Sequence, residues 1–320
     1  MVRTWAAAWQ DALYGPDGFY RAGGGPAAHF TTATHGPTGR VLARALLRLA
    51  DEHGLTGVVD VGCGGGELLH HLYAVGQRER PSAAPMQLTG VDVGPRPDGL
   101  PEDVRWLVSP GGPALPDELD DLRDVLVVAH EWLDVVPCTV AEVDDGGTLR
   151  ERLVDPASGA ESWGDPLAGE ELAWAEWHWP TAAPGDRVEV GLSRDRAWAG
   201  LLGRVGSGLA LAVDYGHTAA TRPTHGTLTA YRQGHLVDPV PDGTCDLTAH
   251  VAMDSLAHND LVDQRTALTR LGVDGRTPPV ELARTDPAGY LQALQESSAA
   301  ARLTARGGFG DFLWAFSRRG

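Results

Sequence analysis

The chain has 320 residues, of which 42% are apolar and 22% charged, the proportions of a globular protein with one large core or two smaller ones. Its formal net charge of −17 argues against binding to nucleic acid or an anionic membrane and favours a cationic substrate or partner. Three cysteines without CxxC spacing argue against a disulfide framework or a thiolate metal site. No apolar stretch is long enough for a signal sequence or a membrane span. We therefore expect a cytoplasmic protein.

The chain opens with a short amphipathic helix and a loop of unusual composition. Residues 15–36 combine glycines and prolines with aromatic and hydroxyl side chains, among them Phe30 and Thr32. Loops of this kind commonly carry function. A surface loop held together by its own aromatic residues also fits the pattern. We predict that residues 1–38 form an N-terminal helix followed by a lid loop.

A strand, a glycine-rich turn and a helix follow one another from Val58 onward. The β-branched run includes Asp60, and Gly62, Gly64 and Gly66 then alternate with other residues before apolar side chains recur at helical spacing. Such glycines allow a ligand to approach the backbone closely. A dinucleotide site and a purely structural turn are alternatives, but a strand-end carboxylate would repel a pyrophosphate. A cationic nucleotide derivative without phosphates fits better.

The next two predicted strands end at the same edge of a parallel sheet. Residues 87–93 end with Asp92 and Val93, where open α/β sheets hold an acceptor for two ribose hydroxyls. Asp92 could instead cap the following turn, and the two roles are compatible. The strand at 104–108 is broken at Ser109, which we expect beside the same ligand.

The fourth predicted strand is the most apolar in the chain and leads directly into polar residues. Residues 124–129 deliver His130, Glu131 and Asp134 at the carboxyl end of the strand, which is where open α/β sheets perform chemistry. Glu131 and Asp134 either contact a substrate or cap the N-terminus of a helix. No histidine spacing typical of a metal site occurs, so we assign no metal.

The second half of the chain predicts an accessory region around the remaining core strands. We assign the core to residues 39–143, 186–217 and 305–320, and the accessory substrate region to residues 144–185 and 218–304. Asp246 stands where a helix would begin, and we interpret it as a helix cap.

Several segments together resemble the MidA-like S-adenosylmethionine (SAM) methyltransferases, a family that includes a mitochondrial complex I assembly factor that methylates an arginine. The similarity covers nearly the full length of the chain, and departures occur at 29–35 and within the glycine loop. The segments that carry it are Gly15 to Tyr20, His29 to Ala33, the Asp60 glycine loop, His130 to Pro137, Ala210 to His217 and Asp246 to Val251.

The resemblance implies an α/β fold of the class I SAM methyltransferase (Rossmann-like) type with SAM as cofactor. It implies catalytic roles for Glu131 and Asp134, which could hold a guanidinium. The acceptor is a protein arginine, or alternatively a small molecule or peptide, and a third alternative is a SAM-binding assembly factor without catalysis. A homodimer is possible. The expected cofactor-binding residues are Phe30, Thr32, Asp60, Gly62, Gly64, Gly66, Asp92, Val93, Ser109 and His130.

Overall fold

The computed structural model describes residues 1–21, 32–80, 82 and 84–320, which form an α/β protein. The helices in these residues are α1 (Trp5–Tyr14), α2 (Gly36–Glu52), α3 (Glu67–Glu79), α4 (Gly169–His178), α5 (Leu192–Leu202), α6 (Gln264–Arg270), α7 (Val280–Thr285) and α8 (Pro287–Leu303). The strands are β1 (Arg3–Thr4), β2 (Gly57–Val61), β3 (Gln87–Asp92), β4 (Arg105–Val108), β5 (Val125–His130), β6 (Thr139–Val143), β7 (Leu149–Val154), β8 (Glu161–Pro166), β9 (Arg187–Val190), β10 (Gly208–Asp214), β11 (Gly216–His217), β12 (Thr229–Arg232), β13 (His235–Val237), β14 (Asp246–Thr248), β15 (Val251–Ala252), β16 (Asp260–Asp263) and β17 (Leu313–Arg319).

The central sheet has the strand order β16-β17-β10-β5-β2-β3-β4 within the described residues. Its five strands from β10 to β4 are parallel, whereas β17 runs antiparallel to β10 and β16 antiparallel to β17. The parallel strands are apolar on both faces, as expected for a sheet covered on both sides. Two apolar clusters cover them, one around α2, α3 and α8 and the other around α5. This is the α/β arrangement predicted from the sequence.

A second, antiparallel sheet lies outside the central one. It has the order β1-β7-β6-β9, with β8 pairing β7. Helix α1 packs between this sheet and a small three-stranded sheet of order β13-β12-β14. Trp9 of α1 is fully buried there, and its indole donates a hydrogen bond to the Leu247 carbonyl over 3.1 Å. The N-terminal helix is thereby joined to a strand more than two hundred residues away in sequence.

Two segments differ from the sequence interpretation. Asp246 does not begin a helix but lies on strand β14, opposite Tyr231 of β12. Part of the predicted accessory region, residues 260–303, packs against the central sheet, because β16 pairs with β17 and α8 with α2. Backbone pairing between strands distant in sequence leaves no periodicity in a short segment, and the sequence therefore did not reveal it.

The described part of the chain contains no helix that is both long and apolar enough to cross a membrane. Its three cysteines, Cys63, Cys138 and Cys245, are buried and free.

We predict opposite effects on stability for two glycine substitutions. A Cβ at Gly90 of β3 would lie 2.7 Å from Leu69 Cδ1 and 2.8 Å from Trp106 Cε3. Gly90→Ala should therefore lower the free energy of unfolding by about 1–3 kcal/mol, the usual effect of overpacking. A Cβ at Gly76 of α3 would have no atom of the described neighbouring residues within 4 Å. Gly76→Ala should therefore raise the free energy of unfolding by about 0.5–1 kcal/mol. Chemical denaturation of both variants measures this, and equal effects would contradict the tight packing at Gly90.

Candidate functional site

The carboxyl ends of strands β2, β3 and β5 border a cleft with two adjoining lobes. The Asp92 lobe, of about 520 Å³, is lined among others by Asp92, Val93 and Ser109. The Asp134 lobe, of about 610 Å³, is lined among others by Asp60 and Asp134. The lobes adjoin each other, since five residues line both: Tyr20, Gly62, Gly64, Glu131 and Val135.

The glycine loop between β2 and α3 brings bare backbone to this cleft. Gly62, Gly64 and Gly66 have φ values of 72°, 58° and 76°, a conformation that side chains disfavour. A Cβ at Gly64 would have only the Glu67 Oε2 atom within 4 Å, so the peptide borders open space. Gly66 instead faces the core, where a Cβ would lie 3.2 Å from Leu100 Cδ1. Gly62 and Gly64 can therefore contact a ligand, whereas Gly66 serves the turn.

Asp92 both holds the glycine loop and faces the cleft. Its Oδ2 accepts a hydrogen bond from the Gly64 N–H over 2.8 Å, and its Oδ1 accepts one from the Gly94 N–H over 3.3 Å. Burial raises its pKa, and these N–H groups oppose the rise. The Ser109 N–H donates to the Asp92 carbonyl over 2.7 Å, which joins the ends of β3 and β4. The turn-capping role and a ligand role thus coexist, because a carboxylate has further lone pairs to offer.

Glu131 lies at the boundary of the lobes in a strained backbone conformation. Its φ is 53°, in the left-handed region that non-glycine residues rarely adopt. Within the described residues its buried Oε1 has no hydrogen-bond partner, and it lies 3.2 Å from His130 Nδ1 in an orientation that does not form a hydrogen bond. Burial and then the negative charge of Glu131 raise the pKa of Tyr215. No helix begins here, so Glu131 and Asp134 do not cap one.

Asp134 places a second incompletely satisfied carboxylate in the same cleft. The Thr248 hydroxyl donates to its Oδ2 over 2.7 Å, whereas its buried Oδ1 has no hydrogen-bond partner among the residues that the structure describes. Burial raises the pKa of this carboxyl to about 6, the Thr248 bond lowers it and the negative charge of Glu131 raises it further. Two carboxylate oxygens, one on Glu131 and one on Asp134, are therefore buried and free to accept hydrogen bonds from a ligand.

Two buried side chains, Asp214 and Arg194, hold the turn that carries Glu131 and Asp134. Asp214, at the end of β10, accepts hydrogen bonds on Oδ2 from the N–H groups of Leu133 and Asp134 over 3.0 and 3.2 Å. Arg194 of α5 donates to the carbonyls of Asp134 and Val136 over 2.9 and 3.1 Å. The turn is thus fixed through both its donors and its acceptors.

The Asp134 lobe is acidic. The carboxylates that line it belong to Asp60, Glu67, Glu131, Asp134 and Asp246, and no arginine is among its described lining residues. Burial raises the pKa of Asp60 to about 7 and that of Asp246 to about 8. Like charges gathered in a desolvated space cost free energy unless they are protonated or neutralised by a cation.

The structure brings most of the predicted site residues to one cleft, together with residues that the sequence analysis did not name. Phe30 lies outside the described residues, while Thr32 and His130 line the Asp134 lobe. The residues that the sequence did not assign to the site are Tyr20, Glu67, Arg194, Asp214, Tyr215 and Asp246. Asp214 and Tyr215 follow a buried strand, which was an available signal, because residues at the carboxyl ends of parallel strands converge. Tyr20 and Asp246 lie in segments that carry the family resemblance, whereas nothing in the local sequence indicates a site role for Glu67 or Arg194.

A glycine in place of Glu131 should show whether this side chain stabilises the fold or only strains the backbone. Glu131→Gly removes both the left-handed strain and a buried negative charge, so we expect the free energy of unfolding to rise by about 1 kcal/mol. Asp121→Gly is the control, since Asp121 has a φ of 46° but a solvent-exposed side chain. A loss of stability in Glu131→Gly alone, measured by chemical denaturation, would show that the side chain holds the fold.

The whole chain is similar to two crystal structures of proteins from Burkholderia thailandensis. One is a COG1565 superfamily member bound to S-adenosyl-homocysteine, with 23% identity, a TM-score of 0.79, and coverage of 99% of this chain and 88% of that chain. The other is an uncharacterized COG1565 superfamily protein, with 22% identity, a TM-score of 0.76, and coverage of 99% and 87%. These similarities confirm the predicted class I methyltransferase fold. No curated protein sequence matches the chain.

Residues 39–271 match the protein family described as "Putative S-adenosyl-L-methionine-dependent methyltransferase". The match spans well over half of the 320 residues and includes the glycine loop, Asp92 and the Glu131 turn. It confirms the predicted enzyme class and the predicted cofactor, SAM. The chain therefore belongs to this family of SAM-dependent methyltransferases.

Proposed function

We propose that this enzyme methylates a guanidinium nitrogen of a protein arginine, in the manner implied by the resemblance to the MidA-like branch. The observation that carries the proposal is a pair of buried carboxylate oxygens in one cleft, Glu131 Oε1 and Asp134 Oδ1, which have no hydrogen-bond partner in the described part of the chain. A guanidinium is always protonated and presents five N–H donors in a planar fork, so it can donate hydrogen bonds to both oxygens at once. The net charge of −17 also favours a basic partner.

The Asp92 lobe has the features that SAM requires. Asp92 offers acceptor lone pairs to the ribose hydroxyls, Gly62 and Gly64 allow close approach of the ligand to the backbone, and Val93 and Ser109 line the nucleoside side of the lobe. Asp60 and Thr32 line the adjoining Asp134 lobe, where a carboxylate suits the cationic amino group of the methionine part. Bound SAM supplies an electrophilic methyl group on a sulfonium.

The protein's own contribution is alignment and charge. Glu131 lines both lobes, so a guanidinium held by it lies next to the donor. Asp134 holds the second edge of the guanidinium. The Thr248 hydroxyl fixes the Asp134 carboxylate, and Asp214 fixes the Asp134 backbone N–H. Holding two reactants in one geometry in this way is the main source of acceleration in a displacement reaction.

Replacing the proposed ribose ligand should weaken cofactor binding. Asp92→Ala removes acceptors for two hydroxyls and also the bond to Gly64, so we expect the affinities for SAM and S-adenosylhomocysteine to fall by about 1–3 kcal/mol. Titration calorimetry measures both. Asp98→Ala, at an exposed position on the loop after β3, is the control. Unchanged affinity in Asp92→Ala would contradict the assignment.

Replacing the proposed acceptor carboxylates should abolish turnover without loss of cofactor. Glu131→Gln and Asp134→Asn keep the side-chain size but remove the charge that holds a cation, so methyl transfer to an arginine peptide should fall by about 10²-fold or more. Affinity for S-adenosylhomocysteine should change little. Glu176→Gln, on the exposed face of α4, is the matched control and should retain full activity.

The acceptor class is tested with labelled SAM and a set of peptides of equal length. An arginine peptide should be methylated, a citrulline peptide should not bind, because citrulline is the neutral analogue, and a lysine peptide should react poorly because an ammonium cannot span both carboxylates. Labelling of small amines but not of any arginine peptide or lysate protein would favour a small-molecule acceptor and contradict the proposal.

A further inference from the structure

Asp246 is a buried carboxylate of the Asp134 lobe that has no role in holding SAM or the guanidinium as proposed above. Only 3% of it is exposed, and its Oδ1 accepts a hydrogen bond from the Tyr20 hydroxyl over 2.7 Å. It lies on β14 two residues before Thr248, whose hydroxyl bonds to Asp134. One short strand therefore contributes a carboxylate to the lobe and supports a second one.

The groups that surround Asp246 are acidic or neutral. Tyr14 and Tyr20 face it from the N-terminal segment, and Glu131 and Asp134 face it from the turn after β5. Burial is the largest cause of its raised pKa of about 8, the Tyr20 hydrogen bond lowers the pKa, and the charges of Asp134 and Glu131 raise it. Burial and the neighbouring charges thus favour the protonated form of Asp246 in the free protein, and a cation that enters the lobe favours the charged form.

We propose that Asp246 is the base that receives the proton lost by the acceptor guanidinium, and that Tyr20 sets its basicity. The inference rests on the proposed arginine acceptor. In the step, a bond forms between the guanidinium nitrogen and the methyl carbon, and the carbon–sulfur bond breaks with its electron pair left on sulfur. The nitrogen loses a proton, which binds to an oxygen of Asp246.

The division of roles follows from the surroundings of the carboxylates. Glu131 and Asp134 hold the cation as carboxylates, and the Thr248 hydroxyl donates a hydrogen bond to Asp134 that favours its charged form. Asp134 has a pKa of about 6 and Asp246 one of about 8. Carboxyls in one site whose pKa values are driven apart are suited to different tasks, and the more basic one is the better proton acceptor.

Proton release on acceptor binding tests the inference without turnover. We would bind the arginine peptide to the complex with S-adenosylhomocysteine at pH 7, using calorimetry in buffers of different ionisation enthalpy. The wild type should release protons, and Asp246→Asn should release about one proton fewer, because an amide has none to lose. Asp238→Asn, an exposed position beyond β13, is the matched control and should release as many as the wild type. Equal release by Asp246→Asn would overturn the inference.

The pH dependence of kcat/KM gives the second test. A base must be ionised, so the rate should fall as pH drops through the pKa of Asp246. Tyr20→Phe removes a hydrogen bond to the charged form and raises that pKa, so the acidic limb should move to higher pH. Asp246→Asn should lose this limb and about 10²-fold in rate.

The outcomes separate the two proposals. If the wild type neither binds nor methylates the arginine peptide, the proposed function fails. If it does both, but the acidic limb is unchanged in Tyr20→Phe and Asp246→Asn keeps full activity, only the role of Asp246 fails. Asn keeps the acceptor oxygen for Tyr20, and retained affinity for S-adenosylhomocysteine checks that the variant is folded. A purely structural role would lower the plateau of Tyr20→Phe without moving its limb.

Discussion

The turn at residues 131–137 is held by two buried side chains, Asp214 and Arg194. Asp214 accepts hydrogen bonds from its N–H groups, and Arg194 donates hydrogen bonds to its carbonyls. Each of the two residues is 1% exposed or less. Burial of a polar or charged group is costly unless it is hydrogen-bonded, and here backbone groups satisfy both side chains. That arrangement can impose the left-handed conformation of Glu131, which an unsupported turn would relax.

The same clamp extends beyond the turn. The Arg194 guanidinium also donates to the His250 carbonyl over 2.9 Å, and the Asp214 Oδ1 accepts the Tyr215 N–H over 2.9 Å. Strand ends from the central sheet and the loop after β14 are therefore oriented by the two side chains that orient Glu131 and Asp134. Removal of either would displace several groups of the cleft at once, which distinguishes positioning residues from those that contact a ligand.

The two lobes of the cleft differ in how their carboxylates are satisfied. Asp92 accepts hydrogen bonds from backbone N–H groups, which fix its position. A carboxylate fixed in this way suits the recognition of uncharged hydroxyl groups. The Asp134 lobe instead gathers carboxyls with raised pKa values, and burial is the largest cause in each. Such a lobe is stabilised when a cation enters it, so the free energy needed to bury these groups is recovered on ligand binding. The N-terminal segment contributes to both lobes, because Tyr20 lines each of them.

The sequence by itself determined which segments form the strands that carry the cleft and which residues lie at their carboxyl ends. Asp60, Asp92, Glu131 and Asp134 follow buried apolar runs, and parallel strands bring such positions together whatever the intervening chain does. Local patterns therefore predicted the glycine loop, the class of fold and the two proposed acceptor carboxylates.

Only the tertiary structure decided which distant groups complete the site. Tyr20 and Asp246 are separated by 226 positions and meet because Trp9 docks α1 beside β14. Arg194 lies on a helix whose pattern indicates nothing beyond a buried face, and its partners are carbonyls, which every residue possesses. Periodicity and motifs report on neighbours along the chain, whereas hydrogen bonds to backbone and pKa shifts from burial arise from contacts between segments far apart in sequence.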